Sequence, residues 1–182
     1  MEIILVRHGE PDYSEADSAG YLGFGRDLSP LSAKGAEQAH AVSRSDLFEK
    51  AECVISSPYT RALHTAAIVS ANLNLNLTVE FGFHERLPDV GNVLKTSANI
   101  RKSFEEYDLC KGVYTSDKVH PWESIELQIA RIRRSLDKYG AYNKIIIVTH
   151  GELIRRFAAV RLPFCGAVRI EYDENFKFLG WS

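Results

Sequence analysis

Residues 3–10 read Ile3-Ile4-Leu5-Val6-Arg7-His8-Gly9-Glu10, and residues 145–152 read Ile145-Ile146-Ile147-Val148-Thr149-His150-Gly151-Glu152. Each is a run of four apolar residues, one polar residue, and then His-Gly-Glu. A short continuous apolar run predicts a strand buried on both faces, as in a parallel sheet. The polar residues then fall at the strand's carboxyl end, where open α/β sheets place their ligand crevices. A glycine there lets the backbone turn sharply or approach a ligand. Two strands that finish alike can bring His8 and His150 to one edge of one sheet.

The chain has 182 residues, enough for one domain with a sizeable core. Residues 1–182 are read as a single unit, with a small cap excursion at about 82–121. A net charge of −2 gives no global attraction to nucleic acid or to an anionic membrane. An anion site must therefore be a local cluster of positive groups. The three cysteines, Cys53, Cys110 and Cys165, show no metal-like spacing and read as free thiols of a reducing compartment. No run reaches transmembrane length, and the cytoplasm is the expected location.

Outward from the first strand, residues 9–30 read as a long functional loop rich in Gly, Pro and Asp. Ser32 is placed to cap a helix running to about Phe48. A strand is predicted over 53–55. Ser57 is then expected to cap a helix with Pro58 at its first position, ending near Asn72. A strand follows at 77–81, and a helix at about 96–107 lies within an otherwise irregular stretch through Pro121. Ile125, Ile129, Ile132 and Leu136 share one face of a helix over about 122–139. A strand at 144–149 and a helix over 152–161 precede a terminal hairpin of 168–172 and 176–179. Alternating strands and helices closed by a hairpin imply an α/β three-layer sandwich with a mostly parallel, mixed central sheet.

Four side chains converge on one crevice in this arrangement: Arg7 and His8, Arg61 in the first turn of its helix, and His150. Two guanidiniums, two imidazoles and a helix N-terminus suit a phosphoryl group, which carries about −1.5 to −2 charge near neutral pH. A neutral imidazole is a competent nucleophile toward phosphorus, and two neighbouring arginines disfavour its protonation. The departing alkoxide needs a proton. Glu85, after the strand at 77–81, is the best-placed carboxyl by topology, and His84 beside it is the competing donor.

The same residues carry a family resemblance. Arg7-His8-Gly9-Glu10 resembles the signature of the histidine phosphatase superfamily, the phosphoglycerate mutase-like proteins. Leu31-Ser32-Ala33-Lys34-Gly35-Ala36-Glu37-Gln38-Ala39 is similar to that family's helix start. Ser56-Ser57-Pro58-Tyr59-Thr60-Arg61-Ala62-Leu63-His64-Thr65 resembles its Ser-Ser-x-x-x-Arg-Ala-x-x-Thr motif. Glu123-Ser124 resembles its Gly-Glu-Ser step, with Trp122 in place of Gly, and Thr149-His150-Gly151 resembles its second His-Gly motif. The resemblance implies a phosphoglycerate mutase-like fold. It implies His8 as the phosphorylated nucleophile, Arg7, Arg61 and His150 as the phosphate pocket, and Glu85 as proton donor, without metal or other cofactor. Ser57 and Gly151 are further candidates for phosphate contact.

The expected activity is phosphomonoester hydrolysis through phosphohistidine. A phosphomutase of the phosphoglycerate mutase type and a non-catalytic phospholigand-binding protein are the alternatives. The expected partner is a small phosphorylated substrate, or a phosphoprotein, and the oligomeric state is open. Simpler readings apply elsewhere. His40 and His64 are read as structural or exposed, Arg155-Arg156 as a solvated helix face, and Phe176, Phe178 and Trp181 as hairpin packing. His84 is read as a surface loop histidine, and His120 as a lesser candidate for the pocket mouth.

Overall fold

The computed structural model describes residues 1–115 and 118–181. Residues 116–117, part of the expected loop through Pro121, lie outside the described residues. Five strands form one sheet: β1 (Glu2–Arg7), β2 (Cys53–Ser56), β3 (Leu77–Val79), β4 (Lys144–Thr149) and β5 (Ala167–Glu171), in the order β3-β2-β4-β1-β5. β3, β2, β4 and β1 run parallel to one another, and β5 is antiparallel to β1 at the edge.

Side chains alternate across a strand, so each apolar run feeds two cores. Ile3, Leu5, Ile55, Ile145 and Ile147 face one side, where α5 (Ile125–Leu136) packs Ile132 and Leu136 and the short α6 (Gly151–Ile154) packs Leu153 and Ile154. Ile4, Val6, Val54, Ile146 and Val148 face the other, against Ala62, Ala66 and Val69 of α3 (Thr60–Leu73). The result is the mostly parallel three-layer α/β sandwich that the strand pattern implied. α2 (Ala33–Val42) lies beside α3, and α4 (Ser97–Leu109) stands in the excursion between β3 and α5. A five-residue turn of helix, α1 (Ser14–Ser18), interrupts the loop after β1.

Helix starts follow capping chemistry. Ser32 Oγ accepts from Gly35 N at 3.0 Å, Thr96 Oγ1 from Asn99 N at 3.2 Å, and Ser124 Oγ from Leu127 N at 3.2 Å. α5 therefore begins at Ile125, three residues later than Pro121-Trp122 suggested. α2 ends at Val42 rather than Phe48, and 46–48 form a separate 3-10 turn. α3 begins at Thr60 with Tyr59 as cap, so Ser57 is not its capping residue. α6 stops after one turn, short of Arg161.

The terminal hairpin does not form. Residues 176–179 are not a strand, and Leu179 N donates to Arg156 O at 2.7 Å. The alternation of Phe176 and Phe178 is satisfied instead by ring packing on Phe157 and Tyr172. This segment also buries Arg156, whose Nη1 donates to Gly180 O at 2.7 Å, so that residue is not on a solvated face. No helix among the described residues is long and apolar enough to cross a membrane.

The loop after β1 is held by α2. Glu10 N donates to Gln38 Oε1 at 2.9 Å, Ser32 N to Glu10 O at 2.9 Å, and Ser32 Oγ to Glu10 Oε1 at 3.0 Å. The backbones touch: a Cβ at Gly35 would lie 2.1 Å from Glu10 O, and one at Gly9 2.6 Å from Gly35 O. Gly35→Ala must push helix and loop apart. Overpacking of this kind costs roughly 1–3 kcal/mol, expected as a lowered urea midpoint. An unchanged midpoint would show that the loop yields freely.

Candidate active site

β1 and β4 pair in parallel with Arg7 opposite Thr149. His8 and His150 are the next residues, and their ring centroids lie 5.1 Å apart. His8 is 6% exposed. Its Nδ1 lies 2.7 Å from Gly9 O. A carbonyl has no proton, so Nδ1 donates and Nε2 keeps its lone pair. Nε2 accepts from Arg61 Nε at 3.3 Å. Burial pushes the imidazole pKa down to about 3, aided by the charges of Arg61 and Arg7 and opposed by the Gly9 bond, so His8 is neutral at physiological pH.

Arg61 is the second residue of α3. Its helix turn is tied to the His8 loop through Thr65, whose Oγ1 accepts from Gly9 N at 3.0 Å and donates to Arg61 O at 2.8 Å. Arg7 donates from Nη1 to Leu162 O at 2.7 Å and lies over the Phe164 ring, and its Nε is buried without a partner among the described residues. His150 bonds through Nε2 to Ser57 Oγ at 2.7 Å, and that hydroxyl also accepts from Tyr59 N at 3.2 Å. His150 Nδ1 is buried with no partner among the described residues. Burial, then the nearby His8 and Arg61, hold its pKa well below the usual value. Ser57 thus orients an imidazole rather than a helix. Gly151 has no steric need to be glycine: a Cβ would sit at ordinary contact, 3.7 Å from Arg7 Nε.

Glu85 sits in the stretch after β3 that Arg131 and Glu123 pin down. The Arg131–Glu123 ion pair is buried, with Nε to Oε1 at 2.6 Å, and Arg131 Nη1 donates to Gly82 O at 2.5 Å. Glu123 of the Glu123-Ser124 step therefore fixes the loop that carries the carboxyl. Glu85 accepts from Arg86 N at 2.9 Å and Glu152 N at 3.4 Å. Burial raises its pKa above the ordinary carboxyl value, and the charge of Glu152 adds to this. A carboxyl with a raised pKa keeps its proton to higher pH, as a proton donor must. Trp122 is buried in the cap, edge-on to Tyr107 and bonded to Glu106.

The other sequence candidates separate. His84 is buried, not a surface histidine: its Nδ1 lies 2.6 Å from Glu85 O and its ring stacks on Tyr59. His120 packs among Tyr114, Trp122 and Thr115, away from the cavity over the site. His40 bonds Asn72, and His64 accepts from Leu31 N. Among the described residues, no three His, Cys, Asp or Glu side chains cluster so as to hold a metal ion.

Two carboxylates escaped the sequence reading. Asp27 Oδ1 lies 2.8 Å from Arg61 Nη1, with its pKa raised by burial. It belongs to a Gly-rich loop with no periodicity, so nothing in its spacing marked it. Asp89, four residues past Glu85, is buried and accepts from Leu94 N. Asp27, Arg61, Glu85 and Asp89 all line one cavity of about 600 Å³.

The sequence profile of the histidine phosphatase superfamily (branch 1) matches residues 3–171. The chain belongs to this superfamily. A Hydrogenobacter thermophilus protein named "Putative phosphoserine phosphatase 2" is 30% identical over 155 residues, 82% of this chain and 72% of that one. The fold matches the alpha-ribazole phosphatase from Shigella flexneri with a TM-score of 0.69, at 21% identity, covering 100% of this chain and 96% of that one. It also matches a mycobacterial glucosyl-3-phosphoglycerate phosphatase in complex with VO3, with a TM-score of 0.68 at 20% identity, covering 97% and 94%. At these identities the two structures establish a shared phosphoglycerate mutase-like fold.

Two predictions follow from the charges at this superfamily site. Asp27 Oδ1 occupies an Arg61 N–H that is then closed to any other anion. Asp27→Asn should tighten competitive binding of inorganic phosphate by about tenfold, the scale of one charged hydrogen bond; weaker binding would instead make Asp27 a support that positions Arg61. The second concerns acid. His8 and His150 have folded pKa values below those of the unfolded chain, so the unfolded state binds the extra protons between those limits. Their contribution to stability is complete above about pH 6.5 and declines below it by ~1.4 kcal/mol per pH unit per histidine. Melting temperature should fall from pH 7 to pH 4, and less steeply for His8→Asn. Parallel curves would mean His8 is not held neutral by the fold.

Proposed function

We propose that this chain is a metal-independent phosphomonoester hydrolase acting by double displacement through phospho-His8. One observation carries the reading: Gly9 O fixes the His8 tautomer, so that Nε2 carries the lone pair, which accepts from the Arg61 guanidinium until a phosphoryl group takes its place. Nε2 attacks phosphorus, the N–P bond forms and the P–O bond to the leaving group breaks. Glu85 gives its proton to the departing oxygen. Water then attacks the phosphohistidine, Glu85 takes a proton from it, and phosphate leaves with His8 restored. Arg7, Arg61 and His150 hold the equatorial oxygens as charge spreads over them. The names of the H. thermophilus relative and of the two fold neighbours, all phosphatases, support hydrolysis as the outcome.

The test is phosphate release from 4-nitrophenyl phosphate with chelator present, for the wild type and His8→Ala, with a base quench to trap acid-labile phosphate on the protein. Turnover and label are expected, both lost in His8→Ala. A folded protein showing neither would sink the hydrolase reading; mutase activity or phospholigand binding alone would then be sought. Glu85→Gln should slow an alkyl phosphate by roughly 10²–10⁴ but an aryl phosphate much less, because a good leaving group needs no proton. It should also abolish the fall in kcat/KM as pH rises through the raised Glu85 pKa. The same signature in Asp89→Asn, and not in Glu85→Gln, would transfer the proton-donor role to Asp89.

A further inference from the structure

The cavity beside Arg61 and Glu85 is larger than a phosphate needs. At about 600 Å³ it falls within the roughly 300–1,000 Å³ range of sites that enclose drug-sized ligands. Part of its wall is apolar: Tyr21, Leu22 and Phe24 on the loop after α1, and Leu94, Ile100 and Phe104 on the excursion after β3. Phe24 and Phe104 leave about two-fifths of their surface exposed, at 43% and 40%. Exposed apolar surface gathered around a concave site marks a binding surface. Arg61 and Glu85 line this cavity, which places it on the side of the proposed site where the leaving group would lie.

Several of its charged groups are matched. Arg26 pairs with Asp17 at 3.0 Å, Arg61 with Asp27, and Glu152 with Arg155 at 2.8 Å, while Lys95 donates to Asn92 O. Arg86 is 8% exposed, and its Nε and Nη1 are buried without a hydrogen-bond partner among the described residues. Its guanidinium lies 3.9 Å from the Tyr107 ring centroid and 4.7 Å from that of Phe104. Cation–π contacts offset part of the cost of burying a cation but leave its donors unused. Asp89, which lines the same cavity, also leaves its Oδ1 buried and unpartnered.

We propose that the leaving group accepted by this site is a bulky, ring-bearing apolar alcohol carrying one anionic substituent, with Phe24 and Phe104 as its walls and Arg86 as the partner of the anion. The proposal rests on the phosphatase reading above. Asp89 disfavours a second anion and offers an acceptor to an N–H or O–H of the same ligand. Small polyol phosphates leave both the apolar walls and Arg86 unused.

Four primary alkyl phosphates of similar leaving-group basicity test this: glycerol 3-phosphate, 2-phenylethyl phosphate, and the 4-carboxylate and 4-carboxamide of the latter. The corresponding phosphonates are titrated by calorimetry in parallel. Wild-type kcat/KM should rise at least tenfold from glycerol 3-phosphate to 2-phenylethyl phosphate. The carboxylate should exceed the carboxamide by about a further tenfold, the scale of a charged hydrogen bond. Arg86→Gln should bring the carboxylate-to-carboxamide ratio to about one, Arg86→Lys should keep part of it, and Phe104→Ala should remove most of the ring preference. Equal kcat/KM across the series, or a carboxylate preference that survives Arg86→Gln, overturns the proposal. If nothing is hydrolysed, the hydrolase reading fails alone: phosphonate affinities that follow the same order in wild type and variants still support the cavity's assignment, and affinities that do not follow it overturn that too.

Discussion

The site depends on the pairing of β1 with β4. The ladder runs in register from Glu2 opposite Lys144 to Arg7 opposite Thr149, and His8 N continues it by donating to Thr149 O at 2.9 Å. Both strands are buried on both faces, so a slip of one residue would carry Ile3 and Leu5 to the side now holding Ile4 and Val6. The two cores differ in shape, one built on α3 and the other on α5 and α6, and each fits one set of side chains. Register is therefore fixed by packing far from the site, and the two imidazoles inherit their 5.1 Å separation from it.

That separation has an electrostatic consequence. Two imidazoles and two guanidiniums share a desolvated pocket, and four positive charges could not coexist there. The fold resolves this by keeping both histidines neutral. His8 gives its one N–H to Gly9 O, and His150 bonds Ser57 Oγ. The arginines are anchored: Arg7 to Leu162 O, Arg61 to the His8 ring and Asp27. Arg61 thus has two of its N–H groups engaged and would have to exchange the His8 or the Asp27 contact to bind an anion. The same arrangement links chemistry to stability, since the neutral imidazoles that favour nucleophilic attack make the fold sensitive to acid.

Legibility in the sequence followed the range of the interactions. β1 and β4 were readable because continuous apolar runs that end in polar residues are local patterns, and β4 spans 144–149 as read. The convergence of Arg7, His8, Arg61 and His150 followed from topology. The roles of supporting residues did not. Ser57 read as a helix cap, since Ser followed by Pro suits a helix start, and only the tertiary meeting with β4 reveals its bond to His150. Asp27 lies on a short 3-10 turn, Gly23–Leu28, inside the loop after β1, and Arg86 on an irregular segment, and neither stretch carries a sequence period that relates a residue to a face. Arg156 read as solvated because nothing local shows residues 179–180 returning over it. The alternation of Phe176 and Phe178 fits a strand and also a chain draped over Phe157, and burial chose the latter.

The architecture also separates two tasks. Groups proposed to act on phosphorus stand at strand ends or in the first turn of α3, where ladder hydrogen bonds and close backbone contacts hold them. Gly9 against Gly35 O, Thr65 between Gly9 and Arg61, and Thr149 Oγ1 donating to Phe83 O at 2.7 Å leave little freedom. The walls of the cavity come from two connections, residues 20–27 and 86–104, that contribute no strand to the sheet. Side chains there can change without disturbing the β1–β4 register. Glu85 sits at the junction: its backbone oxygen meets Arg131, pinned by Glu123, and its carboxyl accepts from Glu152 N just after His150. A single carboxyl held from both sides thus stays in place while the outer walls vary, which is what the proposed phosphorus chemistry needs in order to serve different substrates.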